Sequence, residues 1–170
     1  MSDEPALDAE ALLCTLHDYG VRYVVIGGVA ALLHGDTAFT RDLDITPATS
    51  RVNLGRLARA LTSIGAQLRS DDQVLDWPLD ARTFDRFTTM TFRTRHGDID
   101  VVLRPDAPKP KRYFDFDRLD SRAVDYQVSG LRVRVAALDD VIASKQAAGR
   151  QKDLAALARL GRLQERLQEP

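Results

Sequence analysis

The sequence predicts an α+β fold in which a mixed β-sheet is flanked by helices and the C-terminal helices pack on it. Three observations lead to this prediction. Short β-branched and alternating runs lie between turn residues, amphipathic stretches open and close the chain, and no internal repeat divides it. The 170 residues fit one domain, and 44% hydrophobic with 29% charged residues is typical of a globular protein.

The first half of the chain predicts alternating helices and strands. Leucines at helical spacing precede Gly20, and a β-branched run ends at Gly27 and Gly28. The predicted elements are a helix over 8–19, a strand over 21–26, a helix over 29–34, a strand over 41–46 and a helix that Ser50 caps. Residues 66–86 mix many charges with Trp77-Pro78, so we expect irregular structure there.

The second half predicts two hairpins and two helices. The elements are strands over 88–94 and 99–103, strands over 123–128 and 131–135, and helices over 138–148 and 150–167. Three prolines between residues 105 and 110 predict an exposed loop. The buried stripe that we expect on the last helix consists of Leu154, Leu157, Leu160, Leu163 and Leu167.

Charge and cysteine content limit the partners and the compartment. Residues 1–50 carry a net charge of −6, and residues 131–170 carry +3. The difference fits either an ordinary surface or an acidic metal-binding part that faces a basic part for a polyanion or a nucleotide phosphate. Cys14 is the single cysteine, and no apolar run is long enough to cross a membrane. We therefore expect a cytoplasmic protein without a signal peptide and without a membrane partner.

The glycine pair Gly27-Gly28 lies between a predicted strand and a predicted helix. Such a pair either forms a tight turn or lets the backbone N–H groups at the helix start approach a phosphate. The sequence alone leaves both interpretations open.

Carboxylates recur on two predicted strands. Asp42 and Asp44 lie on one face of the first strand because side chains alternate, and Asp100 lies on a later strand. Close carboxylates repel each other unless a cation lies between them, and Mg²⁺ prefers such oxygen ligands. If the strands are neighbours, Asp100 completes a three-carboxylate site and can accept a proton from an attacking hydroxyl. Asp98 is the competing residue, which we expect at the turn.

Together these features resemble the polymerase-β-like nucleotidyltransferase superfamily, and most closely its AbiEii and MenT group of toxin-type nucleotidyltransferases. Residues 40–44 match the group's Thr-x-Asp-x-Asp segment, and residues 145–153 are similar to its Lys-x-x-Ala-x-Arg-x-x-Asp stretch. The resemblance covers about residues 21–160, and Ala38 stands where members often have an arginine. We expect one nucleotidyltransferase-like domain over 1–170, with a catalytic core over about 1–105 and a hairpin with C-terminal helices over about 123–168.

The resemblance implies Mg²⁺-dependent transfer of a nucleoside monophosphate from an NTP to an acceptor hydroxyl. Asp42, Asp44 and Asp100 would be catalytic and would hold one or two Mg²⁺ ions. Lys145 would be a further catalytic residue. The nucleotide-binding residues would be Gly27, Gly28, Thr40, Arg41, Lys145, Arg150 and Asp153. Arg150 could instead fix the two last helices, and Asp153 could serve the helix dipole or orient Lys145.

Three functions remain open at this stage. The first is a toxin of a toxin–antitoxin pair that modifies tRNA and has a cognate antitoxin partner. The second is transfer to an antibiotic or another small molecule, and the third is a catalytically weak antitoxin or binding module. The basic and aromatic run from Lys109 to Phe116 either stacks on RNA bases or anchors a loop to the core. His34 is expected to be a packing or capping residue, and Lys152 a solvated one.

Overall fold

The computed structural model describes residues 5–70, 73–75, 78–108 and 112–169. The helices are α1 (Ala9–Asp18), α2 (Gly27–Leu33), α3 (Arg51–Ser63), α4 (Phe116–Arg122), α5 (Leu138–Ala148) and α6 (Gln151–Gln168). The strands are β1 (Tyr23–Ile26), β2 (Asp42–Pro47), β3 (Gln67–Ser70), β4 (Gln73–Leu75), β5 (Thr89–Thr94), β6 (Gly97–Val102), β7 (Asp106–Ala107), β8 (Arg112–Tyr113), β9 (Val124–Val128) and β10 (Leu131–Val135). Of the helices described, none is both long and apolar enough to cross a membrane.

The main sheet is mixed, as the sequence predicts. Within the described residues its strand order is β4-β3-β5-β6-β2-β1-β10-β9, and β7 pairs with β8 in a separate ribbon. β2 runs parallel to β6 and β1 runs parallel to β10, whereas the remaining pairs are antiparallel. The central strands β6, β2 and β1 therefore have neighbours on both sides. The predicted fold class is confirmed.

Alternation places the apolar side chains of the central strands in one core. Leu43 and Ile45 of β2 pair with Ile99 and Val101 of β6, and all four side chains are fully buried. The opposite face of these strands is left for polar residues. The same register therefore builds the core on one side of the sheet and presents carboxylates on the other.

The predicted irregular structure over 66–86 is wrong in part. Residues 67–70 form the strand β3, residues 73–75 form the edge strand β4, and residues 83–85 form a short 3-10 helix. Leu68 of β3 pairs with Phe92 of β5, and both are buried. Trp77 lies outside the described residues. The strand was missed because the polar residues around Leu68 hide the alternation.

Two further predictions need correction. The loop after Pro105 contains the short β7–β8 ribbon and is followed by α4, which the sequence did not predict. The predicted stripe on α6 is only partly buried: Leu160 and Leu163 lie in the core, whereas Leu154 and Leu167 are 54% and 61% exposed. Leu154 is exposed because the N-terminal turns of α6 bury Asp153 and Ala156 instead.

Asn53 joins two loops beneath the start of α3. Its side chain accepts a hydrogen bond from Arg22 N (2.7 Å) and donates to Arg22 O (2.9 Å) and Ala48 O (2.8 Å). We expect Asn53→Ala to lower the free energy of unfolding by about 2–4 kcal/mol because these backbone groups lose their partner. Urea denaturation measures the loss. The control Val52→Ala, at a side chain that is 67% exposed, should stay within about 0.5 kcal/mol of wild type; an equal loss in both variants would contradict this role.

Candidate active site

Three carboxylates meet on the polar face of the central sheet. The parallel register of β2 and β6 places Asp44 directly opposite Asp100, and Asp42 lies two residues before Asp44 on the same face. All three line a cleft of about 690 Å³. The structure also places the other residues proposed from the sequence on the walls of this cleft, namely Gly27, Gly28, Thr40, Arg41, Lys145, Arg150 and Asp153.

The two glycines lie against side chains of the cleft. A Cβ atom at Gly27 would fall 2.1 Å from Asp44 Oδ2, and one at Gly28 would fall 2.5 Å from Thr40 Oγ1. Gly27 also has a φ of +65°, which favours glycine. The Gly28 N–H donates a hydrogen bond to Asp44. The pair thus does more than form a turn, since it lets Asp44 and Thr40 approach the start of α2.

The segment of residues 36–41 forms one side of the cleft, which we call the first wall. Within this wall, Thr40 contacts Asp42. Its hydroxyl lies 3.2 Å from Asp42 Oδ1 and 3.2 Å from the Asp42 carbonyl oxygen, and it donates to these acceptors. One carboxylate oxygen of Asp42 is therefore oriented by the residue two positions before it. Arg41, between them, is exposed on the wall of the cleft.

The electrostatics of the cleft disfavour three separate negative charges. Burial raises the pKa of the Asp44 carboxyl to about 7, and the charges of Asp42 and Asp100 add to this rise. The hydrogen bond from Gly28 and the charge of Lys145 oppose it. Burial also raises the pKa of Asp100, although a hydrogen bond from Thr91 works in the other direction.

The donor set fits a hard divalent cation. Asp100 Oδ1 is buried and has no hydrogen-bond partner among the described residues. A cation between the carboxylates would satisfy this oxygen and relieve the repulsion that raises the Asp44 pKa. As placed, no group of three or more His, Cys, Asp or Glu side chains in the described part of the chain could hold a metal ion. An ion at this site would therefore take one or two of these carboxylates as ligands and complete its shell with substrate phosphates and water, as Mg²⁺ commonly does.

The start of α6 and the end of α5 supply positive charge opposite the carboxylates. Asp153 has a side chain that is 3% exposed, and it accepts from Arg150 Nε at 2.5 Å and lies 3.5 Å from Lys145 Nζ. Lys145 and Arg150 thus share one buried carboxylate as partner. The charge of Lys145 lowers the pKa of Asp44, so the ammonium acts directly on the carboxylate site.

Lys152 is a residue of the cleft that the sequence analysis missed. It was expected to be solvated, and its side chain is indeed exposed, but it lines the cleft and its charge lowers the pKa of Asp100. Its position next to Asp153, at the start of α6, was the available signal. Asp36 and Arg159 also line the cleft and carried no recognisable signal.

The competing carboxylate Asp98 has other partners. It lies within β6 rather than at the turn, and it contacts Arg69 Nη1 at 2.6 Å and Arg93 Nε at 3.4 Å. Two arginines therefore neutralise Asp98. This arrangement favours Asp100 as the third carboxylate of the site.

His34, a further residue considered from the sequence, has a hydrogen-bond partner at each ring nitrogen. His34 Nε2 lies 2.8 Å from the Ala136 carbonyl oxygen, and His34 Nδ1 lies 2.8 Å from the Tyr126 hydroxyl. Both ring nitrogens are engaged, which agrees with a packing residue.

In the basic and aromatic run from Lys109 to Phe116, Phe114 and Phe116 are buried, whereas Tyr113 is 55% exposed and lines the cleft. Lys109 and Lys111 lie outside the described residues.

Comparison with known proteins relates the chain to solved nucleotidyltransferases. No protein-family model and no curated protein matches the sequence. The lincomycin-bound lincosamide antibiotic adenylyltransferase LnuA is 14% identical with a TM-score of 0.60, over 94% of this chain and 99% of that chain. The antibiotic-resistance factor ANT(2'')-Ia is 15% identical with a TM-score of 0.56, over 89% of this chain and 79% of that chain. A proposed nucleotidyltransferase of Thermotoga maritima is 13% identical with a TM-score of 0.51, over the whole of both chains.

These similarities show that the chain has the fold of nucleotidyltransferases. At such low identity they show the fold and not the activity. They give no support to the AbiEii and MenT subgroup, which stays a prediction.

The contact between Gly27 and Asp44 predicts a costly substitution. We expect Gly27→Ala to lower the free energy of unfolding by about 2–3 kcal/mol, because the new methyl group displaces Asp44 and the backbone conformation is strained. The matched control is Gly55→Ala, inside α3, where a Cβ atom meets nothing within 4 Å. That variant should gain about 0.5–1 kcal/mol. Urea denaturation compares the two, and similar values would show that the close approach to Asp44 carries no cost.

The raised pKa of Asp44 predicts an unusual pH dependence of stability. In the unfolded chain Asp44 loses its proton near pH 4, whereas in the metal-free folded protein it does so near pH 7. The contribution of Asp44 to stability therefore falls as the pH rises from about 4 to 7. We expect Asp44→Asn to remove this loss and to stabilise the protein by up to about 2–3 kcal/mol more at pH 8 than at pH 5.

Thermal unfolding with EDTA at both pH values measures this difference. Asp125→Asn is the control, because Arg132 and Arg134 lower the pKa of Asp125 and its neutralisation brings no stabilisation at pH 8. An equal gain for Asp44→Asn at pH 5 and pH 8 would refute the assignment.

Proposed function

We propose that the chain is a Mg²⁺-dependent nucleotidyltransferase that moves a nucleoside monophosphate from an NTP to a hydroxyl group of a small molecule. One observation carries the proposal: Asp42, Asp44 and Asp100 share the polar face of two adjacent strands, opposite cations from α5 and α6. The nucleotidyltransferase fold supports it. Asp42, Asp44 and Asp100 would hold the metal, which when bound would neutralise charge on the phosphates and activate the hydroxyl.

The end of α5 and the start of α6 form the opposite side of the cleft, which we call the second wall. The charges of this wall are suited to binding the phosphates. Lys145 is 19% exposed and Arg150 is 64% exposed in their ion pairs with Asp153. Asp153 therefore holds both cations at the cleft while their remaining N–H groups stay free to donate to phosphate oxygens. Lys152, exposed beside them, is a third phosphate contact. Because the Gly28 N–H already donates to Asp44, we propose that Gly27 and Gly28 act mainly by placing that carboxylate.

The transfer step uses one carboxylate of the site as the proton acceptor. The acceptor hydroxyl oxygen attacks the α-phosphorus, a new P–O bond forms, and the bond to pyrophosphate breaks. We assign the hydroxyl proton to the Asp100 carboxylate, because Asp100 lies beside Asp44 on the polar face of the sheet and burial raises its pKa. Pyrophosphate leaves on the side of Lys145 and Arg150.

A small-molecule acceptor fits better than tRNA. LnuA, which matches this chain over nearly the full length of both, is a lincosamide adenylyltransferase, whereas the comparisons give no support to a tRNA acceptor, a toxin role or an antitoxin partner. Phe39 and Tyr113, 84% and 55% exposed, line the cleft and offer ring surfaces to a substrate.

Incubation with each α-labelled NTP and Mg²⁺ tests the proposal. The acceptors are a lincosamide, an aminoglycoside and total tRNA in separate reactions. We expect label on a small molecule and a fall of at least 1000-fold with Asp44→Asn or Asp100→Asn, because each removes a carboxylate of the site. Asp98→Asn, two residues away on the same strand, is the matched control and should retain most of the activity.

The alternatives give different outcomes. Label on tRNA would replace the small-molecule acceptor by the toxin hypothesis. Full activity of Asp100→Asn together with loss in Asp98→Asn would overturn the assignment of the third carboxylate. An absence of transfer to every acceptor would favour a binding module with the same fold.

A further inference from the structure

Asp36 and Arg159 form an ion pair across the cleft that neither the predicted nor the proposed site contains. Arg159 Nε lies 2.6 Å from Asp36 Oδ1 and Arg159 Nη2 lies 3.1 Å from Asp36 Oδ2, so the contact is bidentate. The Asp36 side chain is 4% exposed, and that of Arg159 is 37% exposed. The two residues are 123 positions apart, and both line the cleft.

Asp36 fixes the beginning of the first wall. Its Oδ1 also accepts a hydrogen bond from the Thr37 N–H at 2.8 Å. The hydrogen bond from Arg159 is the main cause that lowers the pKa of Asp36, so the carboxylate is ionised at neutral pH. The wall continues to Thr40, whose hydroxyl orients Asp42. Residues 36–41 are thus tied to Arg159 at one end and to the carboxylate site at the other.

Arg159 fixes the second wall. It lies in α6, which follows the N-cap residue Arg150 and carries Lys152 and Asp153 in its first turn. In the first nine residues of α6, all of which the structure describes, Ala156 is the one buried apolar side chain. Leu154 is exposed, so apolar packing holds this part of the helix weakly. Polar contacts through Asp153 and Arg159 therefore determine where the cations of α6 lie.

We propose that Asp36 and Arg159 are a pair of positioning residues, here called the wall clamp, which fixes residues 37–41 relative to the start of α6. Through this spacing the wall clamp sets the affinity for the triphosphate group of the NTP. The inference rests on the proposed function for its ligand. A planar guanidinium that meets both carboxylate oxygens fixes orientation as well as distance, which an ammonium does not. The bidentate geometry is thus the property to test.

The experiment combines hydrogen exchange with nucleotide binding. Three variants are compared. Arg159→Lys keeps the positive charge and loses the bidentate geometry, Asp36→Asn removes the negative charge, and the double variant Asp36→Arg with Arg159→Asp reverses the pair. The control is Asp125→Asn, which breaks the surface ion pairs to Arg132 and Arg134 away from the cleft. Affinity is measured by calorimetry with a non-hydrolysable α,β-methylene NTP and Mg²⁺, and KM and kcat are measured in the transfer assay.

We expect at least fivefold faster amide exchange in both residues 37–41 and residues 151–158 for Arg159→Lys and Asp36→Asn. The dissociation constant and KM for the nucleotide should rise at least tenfold, with a smaller change in kcat. The double variant with the reversed pair should recover part of the affinity. Asp125→Asn should change none of these values. A rise in exchange that reaches the whole chain would indicate a purely structural ion pair and would overturn the proposal.

The two proposals fail in different ways. Unchanged exchange in either wall for Arg159→Lys, the conservative variant, would overturn the wall clamp even if transfer were intact. Coupled faster exchange with a nucleotide affinity within twofold of wild type would also overturn it. If the wild-type protein binds the nucleotide but transfers nothing, the binding and exchange data still decide on the wall clamp, and the proposed enzyme activity alone fails.

Discussion

The parallel pairing of β2 with β6 is the constraint on which the rest of the structure depends. One register places Leu43 beside Ile99 in the core and Asp44 beside Asp100 in the cleft. A slip of one residue would turn the carboxylates into the core and the apolar side chains into the cleft. The hydrophobic effect that drives Leu43 and its neighbours inward therefore also holds the carboxylates together, against their mutual repulsion.

The surroundings of Asp44 show how this repulsion is limited. A backbone N–H from Gly28 and the charge of Lys145 favour the ionised carboxylate, yet burial and two like charges outweigh them and raise its pKa. Each contact has its own requirement: Gly27 must lack a side chain, and Lys145 must be held near the cleft by Asp153. The arrangement sacrifices stability at the place where a cation and a triphosphate would restore it.

Much of the fold and of the site could be predicted because the signals are local. The alternation in β2 and β6 and the capping Ser50 lie within short windows, and the Asp-x-Asp spacing fixes a common face. The strand β3 lacks such a signal, since Leu68 lies among polar residues. Asp36 and Arg159 could not be recognised, because their contact joins positions 123 residues apart. The predicted stripe on α6 is wrong at Leu154 because the first turns of this helix border the cleft and bury Asp153 and Ala156 instead.

If magnesium and a nucleotide bind in the cleft as proposed, the unsatisfied charge there also links the lifetime of the protein to these ligands. Any ligand that binds the folded chain and not the unfolded chain shifts the equilibrium away from unfolding. Relief of the repulsion around Asp44 would be part of the binding free energy of such a ligand, so the ligand-free chain would be the less stable form. In a cell, if the proposed ligands are the right ones, the abundance of such a chain would follow the supply of magnesium and nucleotide without any dedicated regulator.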